Sequence, residues 1–320
     1  MAAGLTGVAG LAGCGGSSAT AVASKSKGII VFGQGAINTA IYKPLWLGAQ
    51  QAGKQRGYQL LQSYDDLDPV KQIDEINTWI AQKVNGMCIL PLDEGAMGPL
   101  IKKAHQASIK WITYAGTLPG EDGYCWWNNA QGAQLFAQDC AKWINKNLPG
   151  SGPVQVALFT QDSTINGRQR VRGGFDALKK LVPRATVVTQ TPGVIEADVY
   201  KAMQSVISAH PGVNVVICIS DDGAVGAAKA FLATNPSSAR INQMYIMGYD
   251  GGLPAMETAL TGSSPLRASI AVPPVEVGKW AIDTTANAIE GKKPTGFLVN
   301  YKLVTAANHA VGKQLIAEYA

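Results

Sequence analysis

Only three histidines, His105, His210 and His309, occur in the 320 residues. Gly-x-Ser-x-Gly, the P-loop and His-Glu-x-x-His are all missing. No nucleophile therefore stands near a base, and no ligand pair stands at the spacing of a zinc enzyme. The histidines read as structural; His210 precedes Pro211 at a predicted helix end, where a cationic ring suits the dipole. Cysteine is scarce as well, with five in the chain and no Cys-x-x-Cys, which excludes zinc ribbons and thioredoxin-like redox motifs. Cys88 and Cys218 lie in apolar strands and read as small core residues. Cys125 and Cys140 fall on a predicted strand and the next helix, and a disulfide between them stays open. Charge is sparse at 15%, and the net +5 is not gathered into a patch. The nearest basic stripe is Arg168, Arg170, Arg172, Lys179 and Lys180 on one predicted helix, so nucleic acid is not an expected partner. No apolar run is long enough to span a membrane.

What is present begins at the N-terminus. Leu5 to Gly13 is small and apolar and ends in Leu11-Ala12-Gly13-Cys14; a polar run through Lys27 follows. This order resembles a bacterial lipobox, in which the cysteine is acylated after cleavage, and assigns residues 1–27 to a signal and tether with Cys14 as the lipidation site. No Lys or Arg precedes the apolar run, the first cation being Lys25, so the signal is expected to start upstream of Met1.

From Gly28 onward strands alternate with helices of ten to fifteen residues. That grammar predicts parallel sheets covered on both faces. The strands are too many for one sheet, so the fold class is α/β with two doubly wound lobes and a cleft between them, the default place for a ligand. The predicted strands are 28–33, 58–64, 86–91, 110–115, 124–127, 154–160, 185–190, 213–219, 244–249, 268–272 and 297–303.

The stretch Val213 to Ala230 is the most informative. A buried strand ends in Ser220-Asp221-Asp222-Gly223, followed by small apolar residues at helical spacing. Both aspartates can cap the helix. Ligands, however, sit at the carboxyl ends of parallel strands, so one of them can face a ligand instead. Polar and aromatic residues gather at the other strand ends too: Gln34, Asn38 and Tyr42; Tyr114; Trp126, Trp127, Asn128 and Asn129; Gln161, Asp162, Arg168 and Arg170; Tyr249-Asp250-Gly251-Gly252. Amides, carboxylates and guanidinium supply paired donors and acceptors, and rings supply flat apolar faces. The mixture suits a neutral polyhydroxylated small molecule. Gly33-Gln34-Gly35-Ala36 starts like a dinucleotide fingerprint, but Asn38 holds the third glycine position. An NAD-dependent oxidoreductase is thus a minor alternative, and no cofactor is expected.

The chain resembles the type I periplasmic sugar-binding proteins, the ribose-binding kind of ABC-transporter lipoprotein. The likeness covers residues 28–305 and rests on Gly48-Ala49-Gln50, Asn128-Asn129 before Ala130-Gln131-Gly132, Arg172-Gly173-Gly174-Phe175, His210-Pro211, Asp221 to Ala227, and Met247-Gly248-Tyr249-Asp250-Gly251. It implies an N-terminal lobe of residues 28–129 plus 273–303 and a C-terminal lobe of 130–272 plus 304–320. The crossings would fall near Asn129, Val272-Pro273-Pro274 and Leu303. It further implies a monomer, tied to the membrane only by its lipid, which clamps a sugar or polyol by hinge closure and delivers it to permease subunits. The ligand-binding positions implied are Asn38, Tyr42, Asn128, an Arg among Arg168 and Arg170, Asp221 and Asp250, with Asp222 as the helix cap; the strand-end placement adds Tyr114 and Trp127 to the expected site. Two departures stand out. Ala115-Gly116 occupies the place of a common Asp-Arg, and Val272 that of a common Gln. They imply fewer polar contacts than ribose makes, or a non-sugar ligand of autoinducer or nucleoside kind.

Overall fold

The computed structural model describes residues 26–35, 39–293 and 296–320. Cys14 and Asn38 lie outside the described residues. In chain order the elements are β1 (Ile29–Gln34), α1 (Tyr42–Arg56), β2 (Gln59–Tyr64), α2 (Pro69–Ala81), β3 (Gly86–Ile89), α3 (Glu94–Gln106), β4 (Lys110–Tyr114) and β5 (Gly123–Trp127). Next come α4 (Asn129–Asn147), β6 (Val154–Thr160), α5 (Ile165–Leu181), β7 (Ala185–Pro192), α6 (Glu196–Ala209), β8 (Val213–Cys218), α7 (Asp221–Leu232) and the short α8 (Ser238–Ile241). The chain continues through β9 (Tyr245–Asp250), α9 (Leu253–Thr261), β10 (Leu266–Ala271), α10 (Pro274–Ile289), β11 (Phe297–Val299), β12 (Lys302–Val304) and α11 (His309–Ile316).

Two six-stranded sheets result, ordered β11-β5-β4-β3-β1-β2 and β12-β10-β9-β8-β6-β7. Every pairing is parallel except β12 against β10. Central strands such as β8 are apolar and buried on both faces, as expected of sheets covered by helices on either side. The chain passes between the sheets at Asn128, at Val272–Pro273 and at Asn300–Tyr301. The last passage differs from expectation. Residues 297–303 read as one strand, yet they form two, one in each sheet, and the crossing precedes Leu303. An unbroken apolar run gives no sign of which sheet pairs with it.

Local chemistry explains the element ends. Asp68 Oδ1 accepts from the Val70 and Lys71 amides at 2.8 and 3.3 Å, with Pro69 opening α2. Helix α7 is capped by Ser220, whose Oγ accepts from the Gly223 amide at 3.0 Å, and not by Asp222. The serine holds the extended conformation that a cap requires, while both aspartates are already inside the helix. Cys88, Cys125, Cys140 and Cys218 are buried free thiols, so Cys125 and Cys140 are not bridged. Among the described residues no helix is long and apolar enough to cross a membrane, and no cluster of three His, Cys, Asp or Glu side chains is arranged to hold a metal.

The crossings are tied to one another. Asn128 caps α4 through the Gln131 amide and donates from Nδ2 to Asn300 Oδ1 at 2.8 Å. Gln131 pairs with the backbone N–H and C=O of Tyr301 at 2.8 and 3.1 Å. Tyr301 Oη donates to Asn129 Oδ1 at 2.9 Å. A Cβ at Gly132 would lie 2.8 Å from the Tyr301 ring. The run from Asn128 to Gly132 is therefore a hinge fastening.

Candidate interlobe binding site

A cavity of about 80 Å³ lies between the lobes, at the carboxyl ends of both sheets, and both lobes line it. The lobes meet around it. The Ile165 amide, on the second lobe, donates to Glu94 Oε1 on the first at 2.7 Å. Asp222 faces Thr39 and the Ala40 amide across the same gap.

The aromatic residues come from the first lobe. Tyr42 opens α1, and its hydroxyl sits above Gly35, where a Cβ would be 2.5 Å from it. Tyr114 ends β4 and spends its hydroxyl on the Gly33 carbonyl at 2.9 Å, leaving its ring to line the cavity. Trp127 lines the cavity from β5, whereas Trp126 points the other way into a surface groove beside α4 and α5, as strand alternation requires.

The polar centre comes from the second lobe. Arg170 is buried on α5; its Nη1 donates to Asp250 Oδ1 at 2.7 Å and to the Ile219 carbonyl at 3.2 Å, and its Nε donates to Tyr301 Oη at 3.0 Å. Its guanidinium carbon stands 5.1 Å from the Tyr249 ring centre and 5.7 Å from that of Tyr301. Asp250 ends β9 with φ of 110°, a conformation that costs a non-glycine residue energy and that Gly251, at φ 92°, continues. Strain of this kind is held only where the surroundings fix it. Here Asp221 does so: its Oδ2 accepts from the Gly251 and Gly252 amides at 2.9 and 2.7 Å and from Ser269 Oγ at 2.6 Å.

The structure thus gathers Tyr42, Tyr114, Trp127, Arg170 and Asp250 around one cavity. It places three other expected positions elsewhere. Asn128 belongs to the hinge fastening. Arg168 is half-exposed, donates to the Asp162 carbonyl at 2.6 Å and stands 3.8 Å from Glu94. Asp221 is a positioning residue buried behind Asp250. Asn166, Leu67, Leu90 and Leu92 also line the cavity and escaped the sequence reading. A signal for Asn166 existed, since Thr164 caps α5 by accepting from the Gly167 amide at 2.9 Å and so puts Asn166 in the first turn. Leucines in loops carry no such signal.

Buried carboxyls give the fold a pH dependence. Burial pushes Asp65 up to about 7, against hydrogen bonds from the Leu67 amide and Gln72. Burial, and then the charge of Asp250, pushes Asp222 up to about 6. Both groups hold a proton more tightly folded than unfolded. Their contribution to stability is complete below about pH 4 and is lost as pH rises through about 6 and 7. The carboxyls that partners hold low, Asp122, Asp162 and Glu290, act below this window. Urea midpoints should therefore fall between pH 5 and pH 7.5, and Asp65→Asn should flatten the slope. A midpoint that rises across the window contradicts the assignment.

Comparison with known proteins gives concordant findings. The model of the periplasmic binding protein domain matches residues 29–293. The ribose import binding protein of Escherichia coli is 25% identical over 291 residues, which is 90% of this chain and 93% of that one. The D-apiose import binding protein of Paraburkholderia graminis is 24% identical over 269 residues, 81% of each chain. An ABC transporter solute binding protein from Mycobacterium smegmatis, solved with glycerol bound, superposes with a TM-score of 0.78 at 24% identity over 89% of this chain and 96% of its own. The Caulobacter myo-inositol binding protein gives 0.78 at 18% identity over 91% and 97%.

Proposed function

The chain belongs to the periplasmic binding protein family and has its two-lobed type I fold, and on that premise we propose that it is the extracytoplasmic substrate-binding component of an ABC importer. It clamps a small sugar or polyol between its lobes and hands it to the permease without altering it. The observation that carries this reading is the Arg170–Asp250 pair, joined at 2.7 Å on one wall of a cavity that the other lobe also lines. A carboxylate accepts from adjacent hydroxyls, and a guanidinium donates to the ring or hydroxyl oxygens beside them. A cavity of about 80 Å³ is small, which favours a small ligand over a large one. Ribose, apiose, glycerol and myo-inositol, named with the relatives above, are all of that class.

A thermal-shift screen over pentoses, hexoses and polyols tests the reading. One class should raise the melting temperature, since ligand at about 100 times its Kd adds roughly 2.7 kcal/mol of stability. A flat screen removes the sugar assignment. Leu11-Ala12-Gly13-Cys14 supports the second half of the proposal, attachment to the membrane through acylated Cys14. Cys14→Ser should move the protein from the membrane fraction to the soluble one, and retention would remove the anchor.

A further inference from the structure

The hydrocarbon lining of the cavity comes mainly from the first lobe and the hydrogen-bonding lining mainly from the second. The first lobe contributes Leu45 from α1, Leu67 from the loop before α2, and Leu90 and Leu92 from the loop before α3. Among the described residues its polar groups already have partners: Tyr114 bonds Gly33, Glu94 bonds the Ile165 amide, Thr39 bonds Asp222, and the Tyr42 hydroxyl bonds the Gly35 backbone. Ala115 adds a further apolar side chain to the same wall.

The leucines are held in place deliberately. Gln72, buried in α2, donates to Asp65 Oδ2 at 2.6 Å and to the Leu90 carbonyl at 2.8 Å, and accepts from the Leu92 amide at 3.0 Å. Asp65 Oδ1 in turn accepts from the Leu67 amide at 3.0 Å. One glutamine therefore fastens both leucine loops. Leu67 itself has φ of 60°, a conformation that asparagine or glycine adopts readily and a leucine rarely does. A residue kept against its backbone preference at a cavity wall is kept for its side chain.

The second lobe is mainly polar: Gln161, Asn166, Arg170 and Asp250 line it, with Val194 and Ile219 as its apolar members. Asn166 Oδ1 is buried with no hydrogen-bond partner among the described residues. A buried amide atom without a partner is costly, and a ligand hydroxyl would satisfy it.

Building on the sugar-binding reading, we propose that the cleft selects a ligand that is polar on one side only. Adjacent hydroxyls meet Asp250, Arg170 and Asn166, and a face of C–H, methylene or methyl groups lies on the leucines. Deoxy and methyl-branched sugars and polyols are that class. A ligand with hydroxyls all round must bury one against leucine with no partner, which disfavours it.

Calorimetric titration of the full chain against matched pairs tests this. The pairs are L-rhamnose with L-mannose, L-fucose with L-galactose, 5-deoxy-D-ribose with D-ribose, and the best sugar of the wider screen with its own deoxy analogues. In at least one pair the deoxy member should bind about tenfold tighter. Leu67→Asn, which suits the local backbone and places an amide among the leucines, should cancel or invert that preference. If the hydroxylated parent binds as tightly or more tightly in every pair that binds, the inference falls and the sugar reading stands. If no pair binds, the inference falls as well, and the wider screen decides the sugar reading separately.

Discussion

Arg170→Met should cost about 3–5 kcal/mol of stability and about a thousandfold in ligand affinity. The stability term follows from burial. The guanidinium is the counter-charge of Asp250 and the donor to Tyr301 and the Ile219 carbonyl. Methionine fills much of the volume, yet it leaves a largely buried carboxylate, a hydroxyl and a carbonyl without this donor. Breaking one side of such a pair costs about 3–5 kcal/mol because the remaining charge is stranded. The affinity term follows from position, since Arg170 both touches the cavity and holds Asp250 at its edge; about 4 kcal/mol of binding corresponds to the thousandfold. Arg170→Lys should fall between, because one ammonium cannot serve three acceptors in a planar fork. The double variant Arg170→Met with Asp250→Leu separates the two terms. It should recover much of the stability, as apolar replacement of buried pairs does, and none of the binding. Urea unfolding and calorimetric titration read both quantities. Near wild-type affinity in Arg170→Met would remove the pair from the site.

Gly278→Ala should destabilise the protein by about 3 kcal/mol, although alanine favours a helix over glycine by about 1 kcal/mol. Helices α1 and α10 cross at backbone contact. A Cβ on Gly278 would stand 1.9 Å from the Leu45 carbonyl oxygen, and one on Gly48 would stand 2.0 Å from that of Val275. The atoms met are main chain, so no side chain can rotate away and the helices must separate. This crossing joins the site to the hinge. Helix α1 carries Tyr42 and Leu45, and α10 starts directly after the passage at Val272–Pro273. The variant should therefore weaken ligand binding as well as lower the melting temperature. A rise in melting temperature, the outcome helix propensity alone predicts, would refute the contact.

The alternation of strands and helices was legible because period and length report burial directly, and β8 with α7 show it at its clearest. The motifs were legible as patterns, but their reasons were not. Gly48 is there for the Val275 carbonyl, and Gly132 for the Tyr301 ring. Arg168 and Arg170 are alike in sequence and lie two positions apart on one helix, which turns them to different sides; only contact with Tyr249, Tyr301 and Asp250 selects Arg170. Asp221 looked like a ligand residue because it follows a strand end. Its carboxylate instead fastens the loop after Asp250 through the Gly251 amide, a partner 30 positions further along the chain. The leucine wall was invisible for a related reason. It is assembled from α1 and two loops, the loops fastened by Gln72, and polar residues at strand ends drew attention away from it. Positive φ at Leu67, in a turn closed by Asp65, and at Asp250, held by Asp221 through the next two amides, falls on residue types that do not announce it.

Native mass spectrometry of the full chain mixed with a pool of sugars and polyols tests the central claim most directly. A single one-to-one adduct is expected, released with its mass unchanged on denaturation and lost in Asp250→Asn. An adduct that persists undiminished in Asp250→Asn, a ligand released chemically altered, or no adduct from any sugar or polyol would contradict it.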